Sequence, residues 1–153
     1  MLDFINTEIN PEMLIWTGDN NAHNVWENTA EEVTEYMNVI SKMISDTFTG
    51  SGTKILPVQG NHDTWVVDQE SFVNPGDNYE IDHFKDSWSQ WLTEDAFEVF
   101  GQYGYYSMDI ELERGTVSPN TRLIAINTQV CDSLNWHLMG ERQDPGGMFE
   151  WLK

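Results

Sequence analysis

The chain has 153 residues, 39% hydrophobic and 12% aromatic, which gives enough apolar chain for one globular domain with a core and excludes a disordered segment. Seven basic against 26 acidic side chains give a formal charge of −19, which argues against binding a nucleic-acid backbone, where basic patches supply most of the affinity. No run reaches the roughly 18 apolar residues of a membrane span, and Met1–Asn10 lacks the basic start and apolar centre of a signal peptide.

From Met1 to Asn10 the sequence predicts the tail of a helix or a loop, with Leu2, Phe4 and Ile5 as buried contacts. Pro11 then introduces a first strand, Met13–Thr17, a continuous apolar run of the kind found in sheets covered on both faces. The strand runs straight into Gly18-Asp19-Asn20, with His23 shortly after. An isolated Gly-Asp is ordinarily a turn, and His23 by itself reads as a surface-loop histidine. Thr29-Ala30-Glu31-Glu32 has capping-box spacing, with Glu32 reaching back to Thr29. The helix that follows puts Val33, Tyr36, Met37, Ile40, Met43, Ile44 and Thr47 on one face, and Gly50 and Gly52 end it. Its methionines read as core filling.

A second apolar run, Ile55-Leu56-Pro57-Val58, leads through Gln59 into Gly60-Asn61-His62-Asp63. Strand, helix and strand in this order predict a right-handed crossover that brings both glycine-led blocks to the same sheet edge. Open α/β sheets build their sites there, beyond the carboxyl ends of the strands. The residue types suit a cation. Asp19 offers a hard anionic oxygen able to bridge two metal ions, Asn61 a neutral amide oxygen, and His62 an imidazole that ligates metal or transfers a proton.

After Asp63 the chain is predicted to be irregular from Thr64 to Tyr79, with a turn at Pro75-Gly76-Asp77-Asn78, and a loop of that length is expected to line the mouth of a site. Ile81, Phe84, Trp88, Trp91 and Leu92 recur at helical spacing, and core packing explains them better than lipid binding. Thr93 caps a second short helix, Glu94–Phe100, ended by Gly101. Strands follow at Tyr103–Met108 and Leu123–Asn127, separated by a polar loop from Asp109 to Arg122 that contains Gly115 and Pro119. Asn127 either orients a ligand or caps a turn, and the turn is favoured. His83 and His137 have no ligand partner at metal spacing. Asp144 with Pro145 predicts the start of an amphipathic helix over Gly146–Lys153.

Gly18-Asp19 and Gly60-Asn61-His62-Asp63 resemble the second and third sequence blocks of the calcineurin-like metallophosphoesterases. The run from Trp16 through Asn20 and His23 to Trp26 resembles the acid sphingomyelinase branch, as do Leu123–Cys131 and Asp144-Pro145-Gly146-Gly147 leading into Trp151-Leu152. The resemblance implies an α/β fold of β-sheets flanked by helices. Residues 1–153 would form the central part of one metallophosphoesterase domain, truncated at both ends, because the family's first block, Asp-x-His, and its last, Gly-His-x-His, do not occur in the sequence. It implies two divalent metal ions, zinc by preference, with Asp19 and Asn61 as ligands, His62 as proton donor to the leaving oxygen and His23 as a contact to the substrate phosphate. The implied substrate is a phosphodiester of the sphingomyelin type, with nucleotides or other phosphodiesters as the alternative, in a lysosomal or extracellular setting. One departure bears on the substrate: the sphingomyelinase branch usually has glutamate after the histidine, where this chain has Asp63. Cys131, by itself an ordinary lone thiol, would on the resemblance pair with a cysteine outside this sequence. No Asn-x-Ser/Thr acceptor supports a secreted location, and a folded, non-catalytic remnant that binds a metal weakly or a partner protein is the reading from another class.

Overall fold

In a computed structural model the chain is described over residues 1–24, 26–74, 79–112, 121–140 and 143–153, with the backbone alone at Tyr79 and Glu80. The expected turn at Pro75-Gly76-Asp77-Asn78, most of the expected loop with Gly115 and Pro119, and Val25 lie outside the described residues.

The amino-terminal segment forms a helical turn, α1 (Leu2–Phe4), continued by a wider turn over Ile5–Ile9. Leu2 and Ile5 pack on Ile44, Phe48 and Ile55, but Phe4 is 61% exposed and not the buried contact expected. Strand β1 (Met13–Trp16) pairs in parallel with β2 (Lys54–Pro57), Met13 opposite Lys54 and Trp16 opposite Pro57. Between them runs α2 (Ala30–Phe48). Its capping box is complete, with the Glu32 N–H donating to Thr29 Oγ1 at 3.2 Å and the Thr29 N–H to Glu32 Oε2 at 3.0 Å.

Two expectations about this unit are corrected. The buried stripe of α2 is Val33, Met37, Ser41, Ile44 and Phe48, while Tyr36 and Met43 are about half exposed. A polar residue, Ser41, stands at the stripe's centre, and hydrophobicity alone therefore places the face one residue off. β1 is also not covered on both faces, because Ile15 is 57% exposed while Leu14 and Trp16 pack inward.

A second pair is antiparallel: β3 (Tyr106–Ile110) lies against β4 (Thr121–Ala125), Tyr106 opposite Ala125. Helices α3 (Tyr79–Trp88) and α4 (Glu94–Tyr103) pack with it into the main core. Trp88 is the hub. Fully buried, its ring lies 5.4 Å from Phe84, 5.2 Å from Phe100 and, edge on, 5.5 Å from Trp16 of the parallel pair. Burying a side chain of this size contributes about 2–3 kcal/mol, so the aromatic spacing of α3 is a core signal. The Tyr106 hydroxyl joins the two pairs by donating to Pro57 O at 2.7 Å, and burial pushes this phenol's pKa well up.

Element ends differ from expectation where glycine decides them. α4 passes through Gly101 and stops at Gly104, which takes the left-handed conformation at φ 76°. The following strand accordingly starts at Tyr106 and extends to Ile110. Near the carboxyl end, Gly146 and Gly147 stand at φ 66° and 68°, and α5 begins only at Met148. Asp144 still caps it, reaching over the two glycines to accept from the Phe149 N–H at 2.8 Å and the Glu150 N–H at 2.7 Å. Met148 packs with Phe72, Tyr105 and Val130 in a second cluster.

Candidate functional site

Where β1 and β2 end, their two turns interlock. Gly18 and Asp19 are left-handed, at φ 73° and 60°, and throw the chain across the end of β2. The approach leaves no room for side chains: a Cβ on Gly18 would strike Gly60 N and the Asp63 carboxylate, and one on Gly60 would lie 2.5 Å from Asp19 N. Both glycines are therefore there for contact between backbones, not for flexibility.

Asp63 is the clamp that holds the turns together. Its side chain is fully buried and accepts from four donors, each at 2.9 Å: the Asp19 and Gly60 N–H groups on Oδ2, and the N–H and Nδ2 of Asn20 on Oδ1. Burial pushes its pKa above the ordinary carboxylate value, while the hydrogen bonds from Asn20, Gly60 and Asp19 pull it back. Asn20 is held in turn by the Trp16 indole N–H at 2.9 Å. The clamp was not among the residues singled out from sequence, although Asp63 directly follows them.

The four sequence-predicted residues come together around this clamp. Asp19 Oδ1 accepts the His62 N–H at 3.1 Å, which fixes the carboxylate against the second turn. Asn61 donates its Nδ2 to Asp68 Oδ1 at 2.8 Å, leaving its Oδ1 as the atom to offer a cation. His62 is 8% exposed, its Nδ1 has no partner among the described residues, and its ring centroid lies 4.2 Å from that of the exposed His23. Asn21 secures the His62 backbone by donating to its carbonyl at 3.0 Å.

Asp19 and Asn61 line one cavity of about 540 Å³ with Gln59, Gly60, Ile126, Thr128, Gln129 and Asp132. Its mouth is thus formed by the segment after β4, where the loop from Thr64 had been expected. The described part of that loop instead turns back on Asn61, with the Thr64 hydroxyl donating to Asn61 O at 3.0 Å. A larger cleft of about 700 Å³ is lined mainly by apolar side chains such as Leu2, Ile5, Leu14 and Ile40, and contains none of the candidate residues.

The donor set fits part of a divalent cation's needs. Asp19 and Asn61 present hard oxygen ligands to one space. Among the described residues no three His, Cys, Asp or Glu side chains cluster closely enough to enclose a metal ion. The histidines beside the pair suit phosphate contact and proton transfer.

Sequence reading missed a buried polar network behind the cavity. Glu70 is 1% exposed, and its carboxylate accepts from Asn127 Nδ2 at 2.9 and 3.0 Å and from Gln59 Nε2 at 3.4 Å. Asn135 brackets the Glu70 backbone, donating to its carbonyl at 2.8 Å and accepting its N–H at 3.3 Å. Asn127 caps the turn Thr128–Cys131 as expected, accepting the Gln129 N–H at 3.1 Å, but also donates to Tyr103 O at 3.0 Å. The network ties the strand ends carrying Gln59 and Asn127 to each other. Its one sequence signal was a glutamate inside a segment read as loop. Cys131, by contrast, is exposed and free among the described residues.

The family model for calcineurin-like phosphoesterases matches residues 1–153. The chain is 29% identical over 143 residues to sphingomyelin phosphodiesterase A of Dictyostelium discoideum, covering 92% of this chain and 23% of that protein. It is 31% identical over 154 residues to the cyclic GMP-AMP phosphodiesterase SMPDL3A of Bos taurus, covering 99% and 32%, and 27% identical over 147 residues to acid sphingomyelinase-like phosphodiesterase 3b of Homo sapiens, covering 95% and 30%. The chain spans less than a third of the length of each of these relatives. Calcineurin-like phosphoesterases use divalent metals, and Asp19 and Asn61 offer oxygen donors to one cavity here. With the family model matched from the first residue to the last, the chain belongs to the calcineurin-like phosphoesterase family.

Proposed function

We propose that this chain carries part of the active site of a metal-dependent phosphodiester hydrolase of the sphingomyelin phosphodiesterase type, cleaving sphingomyelin to ceramide and phosphocholine. The observation that carries the reading is the convergence of Asp19 and Asn61, from neighbouring strand ends, on one cavity beside the paired rings of His62 and His23. A pair of divalent ions, zinc on this reading, supplies Lewis acidity to the phosphoryl oxygens and acidifies a coordinated water when bound. Asp19 and Asn61 contribute oxygen ligands, and the His62 N–H keeps Asp19 aimed through the bond to Oδ1. Two such ligands fill only part of a coordination sphere. His62 donates a proton to the leaving oxygen, so that an alkoxide need not depart. His23, beside it and open to solvent, meets the phosphate. The setting that goes with this function is lysosomal or extracellular, where the exposed thiol of Cys131 would be free to form a disulfide with a cysteine outside this chain.

A second reading, hydrolysis of a nucleotide phosphodiester, is favoured by the 31% identity to a cyclic GMP-AMP phosphodiesterase, and by Asp63 in place of the branch's usual glutamate. Turnover of sphingomyelin in mixed micelles against turnover of a cyclic dinucleotide by the full-length protein separates the two. His62→Ala is expected to lower kcat by about 10²–10⁴-fold, and Asn61→Ala by at least about 100-fold through lost metal ligation. Wild-type rates in either variant would sink the proposal.

A further inference from the structure

Gln129 is out of keeping with its surroundings. It is 3% exposed, yet neither Oε1 nor Nε2 has a hydrogen-bond partner among the described residues. Its backbone is fully engaged, the N–H with Asn127 Oδ1 and the carbonyl with Asn135 Nδ2, so the side chain is held in place while its amide is left without a partner. Gln59, 6% exposed, is half in the same state: Nε2 donates to Glu70, and Oε1 has no partner among the described residues. Each such buried orphan costs about 1–3 kcal/mol, and a folded chain tolerates three in one place most readily where something else completes them. Both glutamines line the cavity that also holds Asp19 and Asn61.

We propose that Gln129 and Gln59 form a neutral hydrogen-bonding subsite for an alcohol portion of the phosphodiester, and that this portion carries hydroxyl or amide groups. The inference rests on the hydrolase reading above and deepens it. Two free carbonyl oxygens need donors, and the free Gln129 NH₂ needs an acceptor, which together match a hydroxyl or an amide. A quaternary ammonium headgroup supplies neither, so it cannot satisfy these atoms. The subsite thus separates the two ends of the substrate: phosphate at Asp19, Asn61 and the histidines, polar alcohol against the glutamines.

The test compares two diesters that differ only in hydroxyl groups, glycerophosphocholine and propylphosphocholine, binding to the metal-free full-length protein, where turnover does not intrude. Titration calorimetry should find glycerophosphocholine bound about 10-fold tighter by wild type, the worth of one to two buried hydrogen bonds. Gln129→Leu, and Gln129→Met as a second apolar replacement of similar volume, should remove most of that preference while leaving propylphosphocholine affinity within about 2-fold, since no existing hydrogen bond is lost in either variant. A wild type without preference, or a variant that keeps it, would overturn the subsite and leave internal water as the partner of Gln129. The metal-loaded protein provides the separate check. If it cleaves neither diester nor sphingomyelin while the metal-free preference persists, the hydrolase reading falls and the subsite stands.

Discussion

Replacing Asp63 by asparagine keeps the shape of the clamp and changes only its chemistry. In the wild type two N–H donors converge on each oxygen, so whichever way the new amide is placed, its NH₂ faces two donors and leaves both without an acceptor. Each orphaned donor in this fully buried position costs about 1–3 kcal/mol. The two remaining bonds weaken as their acceptor loses its charge. Against this, the amide escapes the burial penalty that holds the carboxyl's pKa up, which offsets part of the loss. The donors outnumber that relief, and the net destabilisation is expected to be about 2–4 kcal/mol, a large share of the roughly 5–15 kcal/mol that holds a domain together. Equilibrium urea unfolding, followed by tryptophan fluorescence with the fully buried Trp88 as a reporter, measures it directly. The midpoint should fall by about 1–2 M with the slope unchanged. A shift below about 0.3 M would refute the assignment of Asp63 as the group that holds the two turns together.

The glycine contacts make a paired prediction. Gly18→Ala, at φ 73° and with its Cβ driven into Gly60 and Asp63, should cost at least about 3 kcal/mol, whereas Gly50→Ala, at φ 76° with open space around it, should cost only the left-handed backbone penalty of about 1–2 kcal/mol. Equal losses in thermal unfolding would show that the close approach is not what Gly18 is for. Asn127→Ala removes the donor to Glu70 and Tyr103 O and the cap on Gln129, and should destabilise by about 2–4 kcal/mol, measured by the same denaturation series. A loss under about 1 kcal/mol would mean that the network is not holding the strand ends. Thr29→Ala should remove about 1 kcal/mol by opening the capping box of α2, with no effect on ligand affinity at the cavity.

What the sequence made legible was local. The two glycine-led blocks, the capping box at Thr29 and the cap at Thr93 each depend on a few adjacent residues and are where the pattern places them, as is the aromatic stripe of α3 as far as Trp88, where the helix ends before Trp91 and Leu92. Misplacements arose where a distant partner decides. Gly101 and Gly104 are equally plausible stops for α4, but only Gly104 lies at the close approach to Asn127 and Gln59, and it takes the left-handed conformation there. Ser41 is buried on α2 against its own polarity, shifting the stripe away from Tyr36 and Met43. Asp144 caps its helix across two glycines, where sequence spacing favoured the residues next to it. The site shows the same division. Asp19, Asn61, His62 and His23 are recognisable by type and position, whereas the roles of Asp63, Glu70, Gln59 and Gln129 depend on which chain segments meet across the strand ends.

The most direct test of the site is hydrolysis of bis(p-nitrophenyl) phosphate by the full-length protein, stripped with a chelator and then given back a divalent metal, in wild type and in Asp19→Asn. The asparagine retains an oxygen to accept the His62 N–H, so the turn keeps its structure while the anionic ligand is lost. Chelation is expected to abolish wild-type activity and metal to restore it, with Asp19→Asn at least about 100-fold lower at every metal concentration. Activity that survives chelation, or an Asp19→Asn variant restored to the wild-type rate, would contradict a metal-dependent site at Asp19.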